Sequence, residues 1–315
     1  MSAPVITVTL NPAIDQTISL ARLDVGQVQQ AEAVRYDAGG KGINVASCLA
    51  DWGTKIIACG VLGADNDAAF HALFSAKSID DRFIRIAGQT RINIKLAHGG
   101  QTTDINLPSL TVQDAPLHEC RTQLLAYAAP GRLFVLAGSL PSGVPAAFYH
   151  EIIAALAERG ARVILDTSNA ALFAALQGPV LPFCVKPNRH ELEKLTGEAL
   201  PTIPAVLHAA RSLLRRGVGL VVVSLGEQGA IFVGPDAEWH AYLPVLRCAS
   251  SVGAGDAMVA GIVAALLEGA DLARTARLAT AFAAGKLGLT GAHLPAPSVI
   301  ETLAAAVVLE QPTRL

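Results

Sequence analysis

The sequence predicts an α/β fold: a doubly wound, mostly parallel sheet with helices on both faces, plus a small β-sheet lid. Three observations lead there. Apolar strand-like runs alternate with helical stretches along most of the chain, the pattern of parallel strands joined by crossover helices. Two segments break that rhythm with strand-like patterns of their own. Near the C-terminal end, Ser250-Ser251-Val252-Gly253-Ala254-Gly255 leads into Asp256 and then into an apolar helix.

The elements follow in order. Residues 5–10 read as a buried strand, 42–52 as a helix closed by Gly53, and 55–61 as the next strand. Residues 65–77 look helical. Strand 133–137 precedes a helix near 145–159, strand 163–165 precedes helix 170–176, and strand 184–186 precedes helix 188–195. Residues 220–224 form the last clear core strand. Of the interruptions, 13–38 has no helical period and reads as a pair of strands. The runs 91–96 and 103–107 are joined across His98-Gly99-Gly100, a hairpin pattern with glycine at the turn. Residues 1–10, 39–89 and 108–315 are therefore assigned to the α/β domain, and 11–38 and 90–107 to the lid. A mixed polar and apolar sheet beside a doubly wound domain is a natural cover for a substrate cleft. Its exposed face can also pair with a second copy.

Composition narrows the function. The 315 residues are 52% hydrophobic, enough for one large core or a core plus a small appendage. The net charge of -2 gives no basic excess for nucleic acid or an anionic membrane surface. Mean hydropathy is positive, but alanine and short strands carry it. The stretches 133–149 and 257–267 fall short of the ~18–20 apolar residues of a spanning helix. Met1-Ser2-Ala3-Pro4-Val5-Ile6 does not read as a signal peptide. Cys48, Cys59, Cys120, Cys184 and Cys248 are scattered, with no Cys-x-x-Cys, and read as free thiols in a reducing cytoplasm.

Four motifs carry chemistry. At 253–256 two glycines permit a tight turn, and the first N–H groups of the following helix form an anion pocket at the positive end of its dipole. Asp256 adds a carboxylate there. Its plain reading is an acid stabilising a helix N-terminus. The helix after it is apolar nearly all round and so buried, which favours a desolvated base. The second motif is Ala38-Gly39-Gly40-Lys41-Gly42-Ile43-Asn44-Val45-Ala46. It reads either as a flexible turn or as a backbone that a ligand touches, with Asn44 as donor and acceptor and Lys41 as a cation. It lacks Walker A spacing.

The third motif, Lys186-Pro187-Asn188-Arg189-His190-Glu191, lies at the end of a strand, where open sheets place ligands. Asn188 and Glu191 share a helix face and suit a hydrated Mg²⁺, or else they form a helix cap. The fourth, Ser224-Leu225-Gly226-Glu227-Gln228-Gly229-Ala230, has glycines that can pass under a nucleotide or simply make a turn. Ser139 is not in a nucleophile elbow. Asp15 and Arg91 face the cleft in the lid arrangement.

Together these residues resemble the PfkB family of carbohydrate kinases, with a ribokinase-like fold. GGKGINVA at 39–46 is similar to the family's first signature and SVGAGDAMVAG at 251–261 to its second. TLNPAID, TRIN, GSLPSG, KPNRHEL and SLGEQGA occur in family order over nearly the whole chain. The TLNPAID opening, Lys41 and TRINIKL resemble the bacterial members that phosphorylate fructose 1-phosphate. One departure is Gln29-Gln30, where several relatives carry Asn-Arg. This leaves the exact phosphosugar open.

The resemblance implies transfer of the γ-phosphoryl of ATP to the C6 hydroxyl of fructose 1-phosphate. Asp256 would be the general base, and the N–H groups of Gly253, Ala254 and Gly255 would be the anion hole. Mg²⁺ would be held through water near Asn188 and Glu191. Lys186, Ser224, Gly226 and Gly229 would line ATP. Asp15, Gly39, Gly40, Asn44 and Ser139 would contact the sugar, and Lys41 and Arg91 the phosphate already on it. It also implies a homodimer through the lid. Tagatose 6-phosphate and fructose 6-phosphate are the alternative acceptors. A non-catalytic sugar-phosphate binder is the alternative of another class, but it has no need of the base or the glycine hole. A dinucleotide-dependent oxidoreductase needs G-x-G-x-x-G after the first strand, where this chain has Asn11-Pro12-Ala13.

Overall fold

Five β-branched residues, Val5–Thr9 (β1), are buried on both faces and lie inside a ten-stranded sheet of a computed structural model. The structure describes residues 3–244, 253–287, 289 and 291–312. The further strands are β2 (Ala13–Ser19), β3 (Ala33–Gly39), β4 (Ile56–Gly63), β5 (Asp80–Ile86), β6 (Ile92–His98), β7 (Gln101–Asn106), β8 (Leu133–Ala137), β9 (Arg162–Asp166), β10 (Cys184–Val185), β11 (Leu220–Ser224), β12 (Ala230–Val233), β13 (Glu238–Tyr242) and β14 (Val308–Glu310). The helices are α1 (Lys41–Asp51), α2 (Ala68–Ala76), α3 (Asp114–Ala126), α4 (Phe148–Ala157), α5 (Asn169–Gln177), α6 (Arg189–Thr196), α7 (Ile203–Arg215), α8 (Ala254–Glu268), α9 (Leu272–Lys286) and α10 (Pro297–Ala306).

The large sheet runs β14-β13-β12-β11-β10-β9-β8-β1-β4-β5. All its pairs from β5 to β11 are parallel. The chain leaves β1 towards β4 and β5, then returns to place β8 on the other side of β1. That reversal opens a crevice beyond the carboxyl ends of β1 and β8, where open sheets bind ligands. Alternation divides the core. Leu133, Val135 and Ala137 of β8 join α1, α2, α8, α9 and α10 on one face, while Phe134 and Leu136 join α3, α4, α6 and α7 on the other. Among the described residues no helix is long and apolar enough to cross a membrane.

The sheet does not end at residues 220–224 as the sequence suggests. Three antiparallel strands follow, β12 pairing with β11, β13 with β12, and β14 with β13. β12 is a four-residue apolar run behind a tight turn, too short to show a period. β5, α3, α7, α9 and α10 also lie outside the sequence assignments.

A separate four-stranded sheet has the order β3-β2-β6-β7. Its hairpin turns at Gly99 and Gly100, with φ of 52° and 76°, the left-handed pair a two-residue turn requires. The register makes it two-sided. Asp15 lies opposite Asn93 and Asp37, and Lys95 opposite Asp104. On the other face Ile18 lies opposite Val34 and Leu96, and Ile94 opposite Ile105. That face docks on the main core at Ile14 and Ala38, while Val34, Tyr36 and Ile105 farther out stay 47%, 57% and 44% exposed.

Gly60 in β4 has φ of 141°, and a Cβ there would lie 1.9 Å from the Thr9 carbonyl oxygen. Gly60→Ala is expected to cost about 2–3 kcal/mol or more, read from urea unfolding.

Candidate active site

The carboxyl edge of the large sheet and the N-termini of α1 and α8 converge on one cleft. α1 sits hard against the end of β1. Gly40, its N-cap, has φ of 122°, and a Cβ on Gly42 would lie 2.5 Å from Thr9 Oγ1. Gly40 and Gly42 are thus required by their close packing on Val8, Thr9 and Pro12, before any ligand is considered. A Cβ on Gly39 would meet Asp15 Oδ2 at 3.0 Å, which joins the glycine segment to the small sheet.

α8 starts at Ala254, with Gly253 as N-cap at φ of 80°. Ala257 N–H donates to the Gly253 carbonyl at 2.9 Å, so the N–H groups of Ala254, Gly255 and Asp256 have no carbonyl of their own helix to reach. The Asp256 N–H thus joins those of Gly253, Ala254 and Gly255 at the open helix start. Ser250, Ser251 and Val252 lie outside the described residues, as does Cys248. The Lys186 ammonium stands over this turn, 3.5 Å from where a Cβ on Gly255 would lie. Behind it, the buried Lys286 packs on Gly253 and donates to the Leu289 carbonyl at 2.7 Å.

Asp256 is 7% exposed. Its Oδ2 accepts from Asn44 Nδ2 at 2.7 Å. Burial and the neighbouring Asp166 carboxylate raise its pKa to about 6, against the opposing pull of Lys41, Asn44 and Lys186. Lys41 and Lys186 both reach Asp166 Oδ1, at 3.2 and 3.3 Å. Burial works against the Lys41 ammonium, but Asp166, Asp256 and Glu191 outweigh it and hold Lys41 above the ordinary lysine range. Asp166 itself did not emerge from the sequence motifs. Its one signal is its place as last residue of the buried run Arg162–Asp166, at the carboxyl end of a parallel strand.

On the small sheet, Asp15 Oδ1 accepts from Asn93 Nδ2 at 3.2 Å, and Lys95 Nζ lies 3.8 Å from Asp15 Oδ2. Burial pushes the Asp15 carboxyl above its usual range. Lys95 is a cation that motif reading passed over, because it sits in an ordinary alternating strand. Arg91 donates to the Asn11 and Pro12 carbonyls, at 3.3 Å each, and burial lowers its pKa. Lys41 and Arg91 share no partner. Lys41 is committed to Asp166, and Arg91 to the backbone beyond β1. Ser139 is exposed and accepts from Asn11 Nδ2 at 3.0 Å.

On the far side of Lys186, Ser224 N–H donates to the Pro187 carbonyl at 3.1 Å, which ties two of the sequence motifs together. Gly226 has φ of 64° with open space where a Cβ would be. Gly229 differs: a Cβ there would lie 2.1 Å from the Ala241 carbonyl oxygen, so β13 alone demands glycine. Asn188 and Glu191 form a reciprocal cap. Asn188 Oδ1 accepts from Glu191 N–H at 2.8 Å, and Glu191 Oε2 accepts from Asn188 N–H at 2.9 Å. Glu191 Oε1 accepts no hydrogen bond among the described residues. One carboxylate oxygen beside a fixed amide suits an outer-shell hold on a hydrated Mg²⁺, whose remaining ligands come from water and phosphate.

The pattern of the pfkB family of carbohydrate kinases matches residues 8–299. The 1-phosphofructokinase of Xanthomonas campestris is 51% identical over 314 residues, covering 98% of this chain and 99% of its own length. The 1-phosphofructokinase of Rhodobacter capsulatus is 44% identical over 313 residues, covering 98% of each. The crystal structure of phosphofructokinase-2 from Escherichia coli, in complex with substrates and products, matches with a TM-score of 0.90 at 28% identity, covering 96% of this chain and 99% of that one. A ribokinase-like α/β sheet, a second small sheet and these matches across nearly the whole chain agree: the chain belongs to the pfkB family of carbohydrate kinases.

Proposed function

We propose that this kinase transfers the γ-phosphoryl of ATP to the C6 hydroxyl of fructose 1-phosphate, giving fructose 1,6-bisphosphate and ADP. The observation that carries the reading is the buried Asp256 carboxylate, hydrogen-bonded by Asn44, at the head of a helix with open N–H donors. Asp256 takes the hydroxyl proton as that oxygen attacks the γ-phosphorus, and the bond to the ADP oxygen breaks. Ala254, Gly255 and Asp256 N–H groups, with Gly253 shaping their turn, stabilise the charge on the transferring group. Lys186 supports the ATP phosphates, and Ser224, Gly226 and Gly229 shape the surface the nucleotide lies on. Asn188 and Glu191 would hold the hydrated Mg²⁺, which neutralises charge on the phosphate oxygens.

Asp15, Gly39, Gly40, Asn44 and Ser139 line the sugar side. Arg91 and Lys41 supply its cations, Arg91 for the phosphate already on the sugar and Lys41 nearer the point of transfer. The 1-phosphofructokinase relatives support fructose 1-phosphate over the 6-phosphates. The four cysteines among the described residues are buried free thiols, which fits a reducing cytoplasm. The outer apolar face of the small sheet fits a second copy of the chain, giving a homodimer through the lid.

An ADP-release assay across fructose 1-phosphate, fructose 6-phosphate, tagatose 6-phosphate and fructose should give the highest kcat/KM with fructose 1-phosphate. A lead for a 6-phosphate would keep the mechanism and change the acceptor. Asp256→Asn should lower kcat by about 10²–10⁴-fold with ATP affinity nearly kept. Wild-type kcat/KM should fall on the acid side near pH 6, where the base gains its proton.

The same substitution has a stability signature. The folded state binds the Asp256 proton more tightly than the unfolded chain does. Ionised Asp256 therefore burdens the fold above about pH 6, and the burden lifts as pH falls towards the unfolded value of 3.8. Asp256→Asn should raise Tm at pH 8, with the gain shrinking towards pH 4. Sedimentation should show a dimer, and Val34→Lys with Ile105→Lys should shift it to monomer.

A further inference from the structure

Asp166 is 1% exposed, yet it lies in none of the motifs singled out from the sequence. One of its oxygens, Oδ1, faces two ammonium groups, Lys41 at 3.2 Å and Lys186 at 3.3 Å. The other, Oδ2, is buried with no hydrogen-bond partner among the described residues. The two lysines come from opposite sides of the cleft. Lys41 opens α1, next to the glycine segment that meets the small sheet, and Lys186 follows β10 and overlooks the N-terminal turn of α8. Asp166 closes β9, beside β10, the strand that precedes Lys186. Two like charges converging on one oxygen repel, and Asp166 is what holds them together there.

We propose that Asp166 is a positioning residue for phosphoryl transfer, clamping Lys41 and Lys186 into one charge cluster and fixing the charge balance around the base Asp256. This rests on the reading of Asp256 as base. The ionisable groups that face Asp256 are Lys41 and Cys48 from α1, Asp166 from the end of β9, Lys186 beyond β10 and Lys286 from α9. Glu191 acts one step removed, through Lys41. Within the inner group, Lys41 and Lys186 balance Asp166 and ionised Asp256. Removing the Asp166 charge leaves an excess cation, so Asp256 holds its proton less tightly. Removing the Lys186 charge does the reverse.

The test is the pH profile of kcat/KM for Asp166→Asn, Lys186→Met and the double variant, with the best acceptor. The acid limb should move down by about one pH unit in Asp166→Asn, up by a similar amount in Lys186→Met, and back near the wild-type position in the double variant. An acid limb that stays in place in both single variants while kcat falls would overturn the clamp and leave a packing role. If Asp166→Asn does not fold, the shift in Lys186→Met and its reversal in the double variant still decide the matter. A second readout needs no turnover. The pH at which Asp256→Asn stops gaining stability over its parent should drop in the Asp166→Asn background. That drop without catalysis on any sugar would keep the clamp and defeat the kinase assignment. An unmoved midpoint in an active enzyme would do the opposite.

Discussion

Three buried ionisable side chains, Asp166, Asp256 and Lys186, meet the partly exposed Lys41 at the carboxyl edge of the sheet. Burying an isolated charge costs several kcal/mol, so such a group persists only where each charge has a partner. Here the partners arrive on separate elements: a strand end, a helix head, the segment after a short strand and the first turn of a buried helix. The fold has to bring all of them to one place, where both lysines reach Asp166 and Asn44 holds Asp256. The switch point between β1 and β8 does this, because it leaves a crevice that neighbouring strand ends can reach. The helix dipole of α8 and its open N–H groups add a positive edge without adding another ionic side chain.

Close backbone approach is the second constraint, and it follows from the first. For Lys41 to reach Asp166, α1 must start tight against β1, and Thr9 and Pro12 leave no room for a Cβ at Gly40 or Gly42. For α8 to bury Asp256, it must pack closely on α9. A Cβ at Gly261 would lie 2.6 Å from Ala279 Cα, so the same packing excludes a larger residue there. The small sheet then completes the enclosure with a polar face carrying Asp15, Asn93 and Lys95. Its outer apolar face is turned away from that chemistry.

Much of this was legible in the sequence because it is written in short-range patterns. The buried run Val5–Thr9, the Gly99-Gly100 turn and the apolar helix behind Asp256 each declare themselves within a few residues. So do the glycine segment with Lys41 and Asn44, and the reciprocal cap formed by Asn188 and Glu191. Asp166 and Lys95 did not stand out. Each sits in an ordinary strand, and its significance comes from what lies opposite in space. The β12 to β14 extension was hidden for another reason: four- and three-residue strands carry too little periodicity to distinguish them from loops.

By itself the sequence determined the α/β class, the two-sheet division and the residue types at Asp256 and the glycine turn before it, since these depend on alternation, glycine and helix-start chemistry. The tertiary structure alone decided which charges meet. It joined Lys41 to Lys186 through a carboxylate 125 residues along the chain from Lys41, and it separated Lys41 from Arg91. It also divided the glycines into those a neighbouring strand forbids from changing, such as Gly229, and those left with open space, such as Gly226. The physical reason is range. Propensity and turn chemistry act over a few neighbouring residues, whereas charge pairing and backbone clearance depend on distances that exist only once the sheet has closed the chain on itself.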